Sequence, residues 1–315
     1  MREAVKDSKY FIKKSRRYFF KKYRVLYFFM LPGVVFFLIF KIAPLYGMLV
    51  AFQDFYTHLP WGTFWVGLKW FKILFKGDQF FKLLGNTLGI NALKLLFGFP
   101  LPILLAIIFH ELRGKIYKRT VQTITYFPQF LSWVIVYGLM FNLLNSTSGV
   151  LNVLLERVAG KSVPFLADYR WFPWVIVATS VWKNIGWGSI IFVAALGNVS
   201  PELYESADMD GANYFQKLIH ITLPCISVII AMNFVMQIGN ILFGDFEQML
   251  MFMGTNYVLQ QRAEIFETFV YRMATTGSGQ FGLGGVVSII QSVFGVTMVV
   301  LANFLVKKIG GRGIW

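Results

Sequence analysis

Six long apolar runs constrain this chain more than any other feature. They cover about residues 25–51, 84–109, 120–144, 172–198, 218–244 and 283–306 of 315. A helix needs roughly 20 mostly apolar residues to cross the hydrocarbon core of a bilayer. Backbone polar groups in hydrocarbon must be satisfied within the chain, and a helix does this without partners. The expectation is an all-α membrane protein with six transmembrane helices. Charge content agrees: 14% of residues are Asp, Glu, Lys or Arg, where a soluble domain carries about a quarter. Two runs are irregular. The first contains Lys41 and Pro44, which predict a kinked or interfacial outer part. The fifth contains Asn233, Gln237 and Asn240, so it is not a plain lipid-facing helix.

The net charge of +15 raises nucleic acid as a partner. Its placement argues against that. Ten of the 30 basic residues lie in residues 1–24, before the first apolar run. A basic segment beside a span fits membrane orientation and anionic lipid headgroups, with no nucleic acid involved. With the N-terminus inside, the inner segments hold 18 Lys and Arg and the outer segments nine. The positive-inside rule therefore places both termini in the cytoplasm. The first apolar run has no small-residue cleavage site near its end, so it reads as a retained helix rather than a signal peptide. The division is a basic cytoplasmic segment, 1–24, and a six-span domain, 25–315.

Enzyme chemistry has little support. The spans hold too few acidic residues for a paired-carboxylate or nucleophile–base set. His58, His110 and His220 stand far apart with no ligand-spaced neighbours, so no metal site is expected. Cys225 is the single cysteine and reads as a buried packing residue. Gly277 to Gly282 spells G-x-G-x-x-G but lacks a preceding strand, so it reads as a turn or a close backbone contact. No internal repeat is evident. Trp61, Trp65, Trp70, Phe71, Tyr169, Trp171 and Trp174 crowd the outer loops, as interfacial belts do.

Between the fourth and fifth runs the sequence turns acidic: PELYESADMDGANYFQKLIHITLP, residues 201–224. Ser200 suits an N-cap and Pro201 the first helical position. Glu202 falls in the first turn, where it favours the helix dipole. Glu202, Glu205 and Asp208 recur every three residues and share one face. Gly211 can close the helix in the left-handed conformation. Residues 199–217 thus form a short cytoplasmic helix-containing loop, either a solvated connector or a docking element.

Glu205-Ser206-Ala207, Gly211 and Ile221-Thr222-Leu223-Pro224 resemble the cytoplasmic loop signature of permease subunits of binding-protein-dependent ABC importers. That pattern reads E-A-A, three residues, G, nine residues, I-x-L-P. The spacing matches throughout, and Ser206 for Ala is the one departure. Asp210-Gly211-Ala212 resembles the variant common in the carbohydrate-uptake branch. The opening MLPGVVFFLIFKIAPLYGMLVAFQDF and the close VLANFLVKKIGGRGIW are similar to permeases for polysaccharide-derived oligosaccharides.

The resemblance implies a type I ABC importer permease fold in a bacterial inner membrane, with a cytoplasmic coupling helix between spans four and five. Glu205, Ser206, Ala207, Asp210, Gly211, Ala212, Leu223 and Pro224 would occupy the ATPase-coupling positions. It also implies a second permease, typically a different chain, two ATPase subunits and an extracytoplasmic solute-binding protein. The residues agree that the energy source lies elsewhere: no G-x-x-x-x-G-K-S/T loop is present. ATP and Mg would bind the partner ATPase, and this chain would need no cofactor.

Polar groups inside spans are costly and face cavities or other helices. Trp182, Lys183, Asn184 and Trp187 in span four, with Asn233, Gln237 and Asn240 in span five, are the candidates for a solute path. Ring planes and amides suit a sugar, and interhelical hydrogen bonding is the competing role. Asn91 and Lys94 are secondary candidates. A lysine in the path, Lys183, would fit an acidic sugar such as a uronate oligomer. The expected function is an oligosaccharide-importing permease. The alternative is an ion-coupled secondary transporter, which predicts a buried acidic relay that the spans do not show.

Overall fold

The computed structural model describes residues 21–56, 62, 64–254, 256–275 and 280–308. Most of the basic segment, His58, Trp61, Gly277 to Gly279 and residues 309–315 lie outside them. The chain divides into two units, residues 1–50 and 51–315. Apart from an isolated antiparallel bridge between Gln53 and Trp65, the described residues form no strand.

Among the described residues, five helices are long and apolar enough to cross a membrane, and a bent pair, counted as one span, makes a sixth. The first runs Arg24–Phe52 and changes character along its length. It is α from Arg24 to Phe37, π over Leu38–Ile42 and 3-10 over Ala43–Phe52. The π turn ends two residues before Pro44. A second π turn, Leu218–Thr222, ends two residues before Pro224. Proline has no N–H to give the helical ladder, and in both places the helix widens just ahead of it.

Span two is Gln79–Glu111, made of Gln79–Gly98 and Pro100–Glu111 meeting at Phe99. Span four is Phe172–Leu196, span five Tyr214–Gly239 and span six Phe281–Lys308. The third run departs from a single span. Lys115–Phe130 and Trp133–Leu144 meet at 100°. Pro128 sits in a 3-10 turn, Leu131 is extended at ψ 137°, and Ser132 Oγ accepts from Ile135 N at 3.4 Å to start the second helix. An 18-residue window across the pair is apolar enough for a span, so hydrophobicity alone runs straight through the break.

Three buried clusters hold the second unit together. One joins Ile90, Trp133, Phe172, Ile176 and Phe252. Another joins Trp70, Phe80, Phe266, Phe269 and Val286, and a third joins Ile103, Phe192, Leu196 and Ile226. Helices in lipid gain from close packing more than from leaving water, so small residues mark their contacts. A Cβ on Gly186 would collide with the carbonyl oxygen of Thr125, so span four and the helix Lys115–Tyr126 touch backbone to backbone there. Not every aromatic of the loops forms a belt. Trp70 is buried and donates Nε1–H to the Gln53 carbonyl at 3.1 Å, while Trp65 stacks on Phe52. Cys225 corrects another expectation: it is exposed.

Candidate functional site: an amide-lined cavity and an exposed loop

Spans two, four and five line an open cavity of about 370 Å³. Asn91 and Lys94 enter it from span two, Asn184 from span four, and Asn233, Gln237 and Asn240 from span five. The span-five trio meets there because spacings of four and three residues bring side chains to one helical face. Three amides are anchored on their own helices. Asn184, Asn233 and Asn240 donate Nδ2–H to the carbonyls of Ser180, Ile229 and Met236 at 2.8, 3.0 and 2.9 Å. Each keeps an Oδ1 acceptor, and Asn184 Nδ2 also reaches Ser180 Oγ at 3.5 Å. Gln237 is exposed to the cavity. The lining therefore offers several separate donors and acceptors for hydroxyl groups and no tight cluster.

The other path candidates lie elsewhere. Lys183 is buried and donates Nζ–H to the carbonyl of Gln129 at 2.8 Å, with its charge 5.3 Å from the Trp133 ring centre. It thereby spans the elbow of the third run and satisfies a carbonyl where the ladder is interrupted. Trp187 packs edge-on against Phe130 at 6.1 Å, and Trp182 is exposed on the chain's surface. Neither ring lines the cavity. The lysine that does so is Lys94, whose Nζ donates to Gln248 Oε1 at 2.7 Å.

The loop between spans four and five is a helix over Pro201–Met209 with Glu202 in its first turn. Ser200 takes the extended N-cap backbone, yet its side chain makes no cap bond. The C-terminus closes as a Schellman motif: Ala212 N donates to the Ala207 carbonyl at 2.9 Å and Gly211 N to Asp208 at 3.1 Å. Gly211 has φ +76°, a conformation that L side chains resist. Asn213 then opens span five with a reciprocal capping box to Gln216. Sequence reasoning missed that cap, although Asn with Gln three residues later is its signal. Asp208 pairs with Lys217 at 2.6 Å, which partly neutralises the acidic face. Tyr204 and Thr222 share a hydroxyl–hydroxyl bond at 3.0 Å. Glu205 and Ser206 stay exposed, and Ser206 Oγ donates back to Leu203, so serine costs the helix little. Two apolar side chains also stand out, Met209 at 89% exposure and Phe215 at 69%.

At the opposite end, span five is tied down by distant side chains. Asn91 Nδ2 donates to the carbonyls of Ile241 and Phe243 at 2.9 and 3.2 Å. Gln291 Nε2 from span six donates to Leu242 O at 2.7 Å and to Glu267 Oε1 at 2.9 Å. Glu267 also accepts from Gly244 N at 2.9 Å. Burial raises the Glu267 carboxyl above its usual range, and the Gly244 N–H works against that rise. Gln248 in turn donates to Ile176 O and Thr179 Oγ1 at 2.8 and 2.9 Å. Among the described residues, no group of three or more His, Cys, Asp or Glu side chains could hold a metal.

Residues 98–311 match the family model of binding-protein-dependent transport system inner membrane components. The chain is 41% identical to protein LplB of Bacillus subtilis over 287 residues, 91% of this chain and 89% of that one. It is 42% identical to the polygalacturonan/rhamnogalacturonan transport system permease protein YteP of the same organism, over 91% and 88% of the two chains. A solved bacterial ABC transporter involved in the import of the acidic polysaccharide alginate superposes with TM-score 0.82 at 36% identity, over 92% of this chain and 97% of that one. The alginate transporter in complex with its alginate pentasaccharide-bound periplasmic protein gives TM-score 0.83 at 35% identity, over 94% and 98%.

Proposed function

The chain belongs to the binding-protein-dependent transport system inner membrane component family, and from that premise we propose that it forms the translocation path of an ATP-driven oligosaccharide importer. The family consists of transporter permeases and not enzymes, so any ATP hydrolysis belongs to another polypeptide. The observation that carries the proposal is the cavity among spans two, four and five, where four amides of spans four and five meet Lys94. Amides pair with sugar hydroxyls, and dispersed weak contacts allow a conduit to release its cargo. The nearby relatives support the cargo class: their names specify polygalacturonan or rhamnogalacturonan, and alginate. Lys94 favours a uronate-containing saccharide within that class.

In this reading the loop of residues 199–217 faces the cytoplasm with both termini. Glu205, the Gly211 turn and the exposed Met209 and Phe215 meet the groove of an ATPase subunit. A second, different permease chain completes the path, and an extracytoplasmic binding protein delivers the solute. The assembly works by alternating access, with closure of the ATPase pair moving the loop helices. The test is uptake of labelled oligogalacturonate and oligogalactose into proteoliposomes holding the assembled transporter, its binding protein outside and ATP sealed inside. The expected result is ATP-dependent uptake that falls at least about tenfold when Asn233 and Gln237 are both replaced by Leu, since each lost bond to a hydroxyl is worth about 1 kcal/mol. Uptake that follows an imposed ion gradient and ignores ATP would overturn the proposal.

A further inference from the structure

The end of the molecule opposite the loop holds a second cleft, of about 940 Å³, that the cavity among the spans does not include. Its walls are the first turns of span two with Lys82 and Asn86, Tyr169 just ahead of span four, and the helix Tyr257–Ala263 with Arg262. Five charged residues line it, exposed Asp78 with Lys82, Arg262, Glu264 and Arg272, for one net positive charge, and they are unequal in availability. Glu264 is buried, and Arg272 Nε and Nη2 each donate to one of its carboxylate oxygens at 2.8 Å. That two-pronged contact raises the Arg272 pKa further, holds the guanidinium in place and leaves the pair internally neutral. Lys82 and Arg262 have no carboxylate within 4.0 Å among the described residues. Both are exposed on the cleft wall.

The rest of the lining matches those two cations. The Arg262 guanidinium lies 4.3 Å from the centre of the Tyr169 ring, which orients it. Tyr257 is 69% exposed, and its hydroxyl accepts from Gln261 Nε2 at 2.6 Å, which steadies the ring. Asn86 spends one N–H on the Glu264 carbonyl at 3.0 Å and keeps its Oδ1. The cleft thus combines a forked cation, a second cation, an exposed ring face and an amide acceptor. A sugar presents C–H faces for the ring and hydroxyls for the amide. Only a carboxylated sugar also uses the cations.

We propose that this cleft is an entry subsite for a uronate unit of an acidic oligosaccharide, engaged at the outer face before the chain passes to the cavity among the spans. Arg262 and Lys82 take the carboxylate, and Tyr257 takes the ring. This rests on the reading of the chain as an oligosaccharide importer with the loop end in the cytoplasm. The occupant is the saccharide, because the concave wall with its ring and amide fits a pyranose; an acidic surface of the binding protein would need only the cations.

The experiment uses the assembled transporter in nanodiscs, first without binding protein. Saturation-transfer NMR measures direct binding of a galacturonate trisaccharide, with neutral galactotriose as control. Arg262→Gln and Tyr257→Ala should each weaken galacturonate binding at least about fivefold, the scale of one charged hydrogen bond or one ring contact. Galactotriose binding should not respond to Arg262→Gln. In proteoliposomes with binding protein, Arg262→Gln should raise the galacturonate concentration for half-maximal uptake and leave maximal uptake within about twofold. If the wild type imports saccharides but neither variant alters direct binding, the subsite is refuted while the importer reading stands. If Arg262→Gln weakens only the docking of saccharide-free binding protein, the cleft is a protein contact and the proposal fails. If no saccharide of either kind is imported, the importer reading fails first and this one with it.

Discussion

Spans four and five end very differently at their two extremities. At the loop end the hydrogen bonds and the ion pair are local, although the Tyr204 ring also lies 6.2 Å from that of His110. The capping box joins Asn213 to Gln216, the ion pair joins Asp208 to Lys217, and Tyr204 reaches Thr222, 18 residues away at most. At the opposite end the carbonyls of Ile241, Leu242 and Phe243 and the amide of Gly244 bind side chains from spans two and six and from the helix Phe266–Thr275. Those partners are 23 to 152 residues away. One end is cross-linked to the bundle, and the other is a self-contained unit resting on its surface. These two constructions suit the proposed roles of a loop read by another subunit and an end held fixed in the bundle.

The comparison can be broken by substitution. Replacing Gln291 by Leu should have the largest effect. It strips partners from a buried carbonyl and a buried carboxylate, at about 3 kcal/mol together, and should lower the thermal midpoint of the purified transporter by several degrees in a tryptophan-fluorescence melt. Lys183→Met comes next. It leaves the Gln129 carbonyl without its donor at the elbow, at about 2 kcal/mol, and should make the Lys115–Phe130 segment exchange amide hydrogens faster. Gly211→Val forces a branched side chain into positive φ for about 1–2 kcal/mol. Its effect should stay local: a lower stimulated ATPase rate with the global midpoint nearly unchanged. Asp208→Ala should shift stability by less than about 0.5 kcal/mol, because surface ion pairs contribute little. If Gly211→Val or Asp208→Ala lowers the midpoint as much as Gln291→Leu, the two ends are equally coupled to the bundle and the contrast is wrong.

The same contrast explains what the sequence could reveal. The helix Pro201–Met209, its glycine stop and its relation to Pro224 were legible because every determinant lies within 24 residues. Six apolar runs made the helical membrane fold legible for a similar reason: each helix satisfies its own backbone. The elbow at Phe130 to Trp133 was less visible, since Pro128 and Ser132 sit inside a window whose mean hydropathy still suits a single span. Lys183 was read as a path residue because a lysine in a span invites a solute, while the carbonyl it serves is 54 residues distant. Asn91, a secondary candidate, lines the cavity and also donates to span-five carbonyls 150 and 152 residues away, a pairing that no local pattern encodes. Asn233, Gln237 and Asn240 share a face by spacing alone, and the fold then places that face against spans two and four.

The central claim is that an exposed loop reads a partner ATPase on behalf of a cavity that carries saccharide. Saccharide-stimulated ATP hydrolysis tests it most directly. The transporter is purified with the subunits it retains, placed in nanodiscs and supplied with binding protein and either galacturonate or neutral oligomers, wild type beside Glu205→Ala. The account predicts stimulation by the saccharide in the wild type and hydrolysis at the unstimulated rate in Glu205→Ala, with the same subunits present in both. Full stimulation in Glu205→Ala, or a wild type whose hydrolysis ignores every saccharide offered, would contradict it.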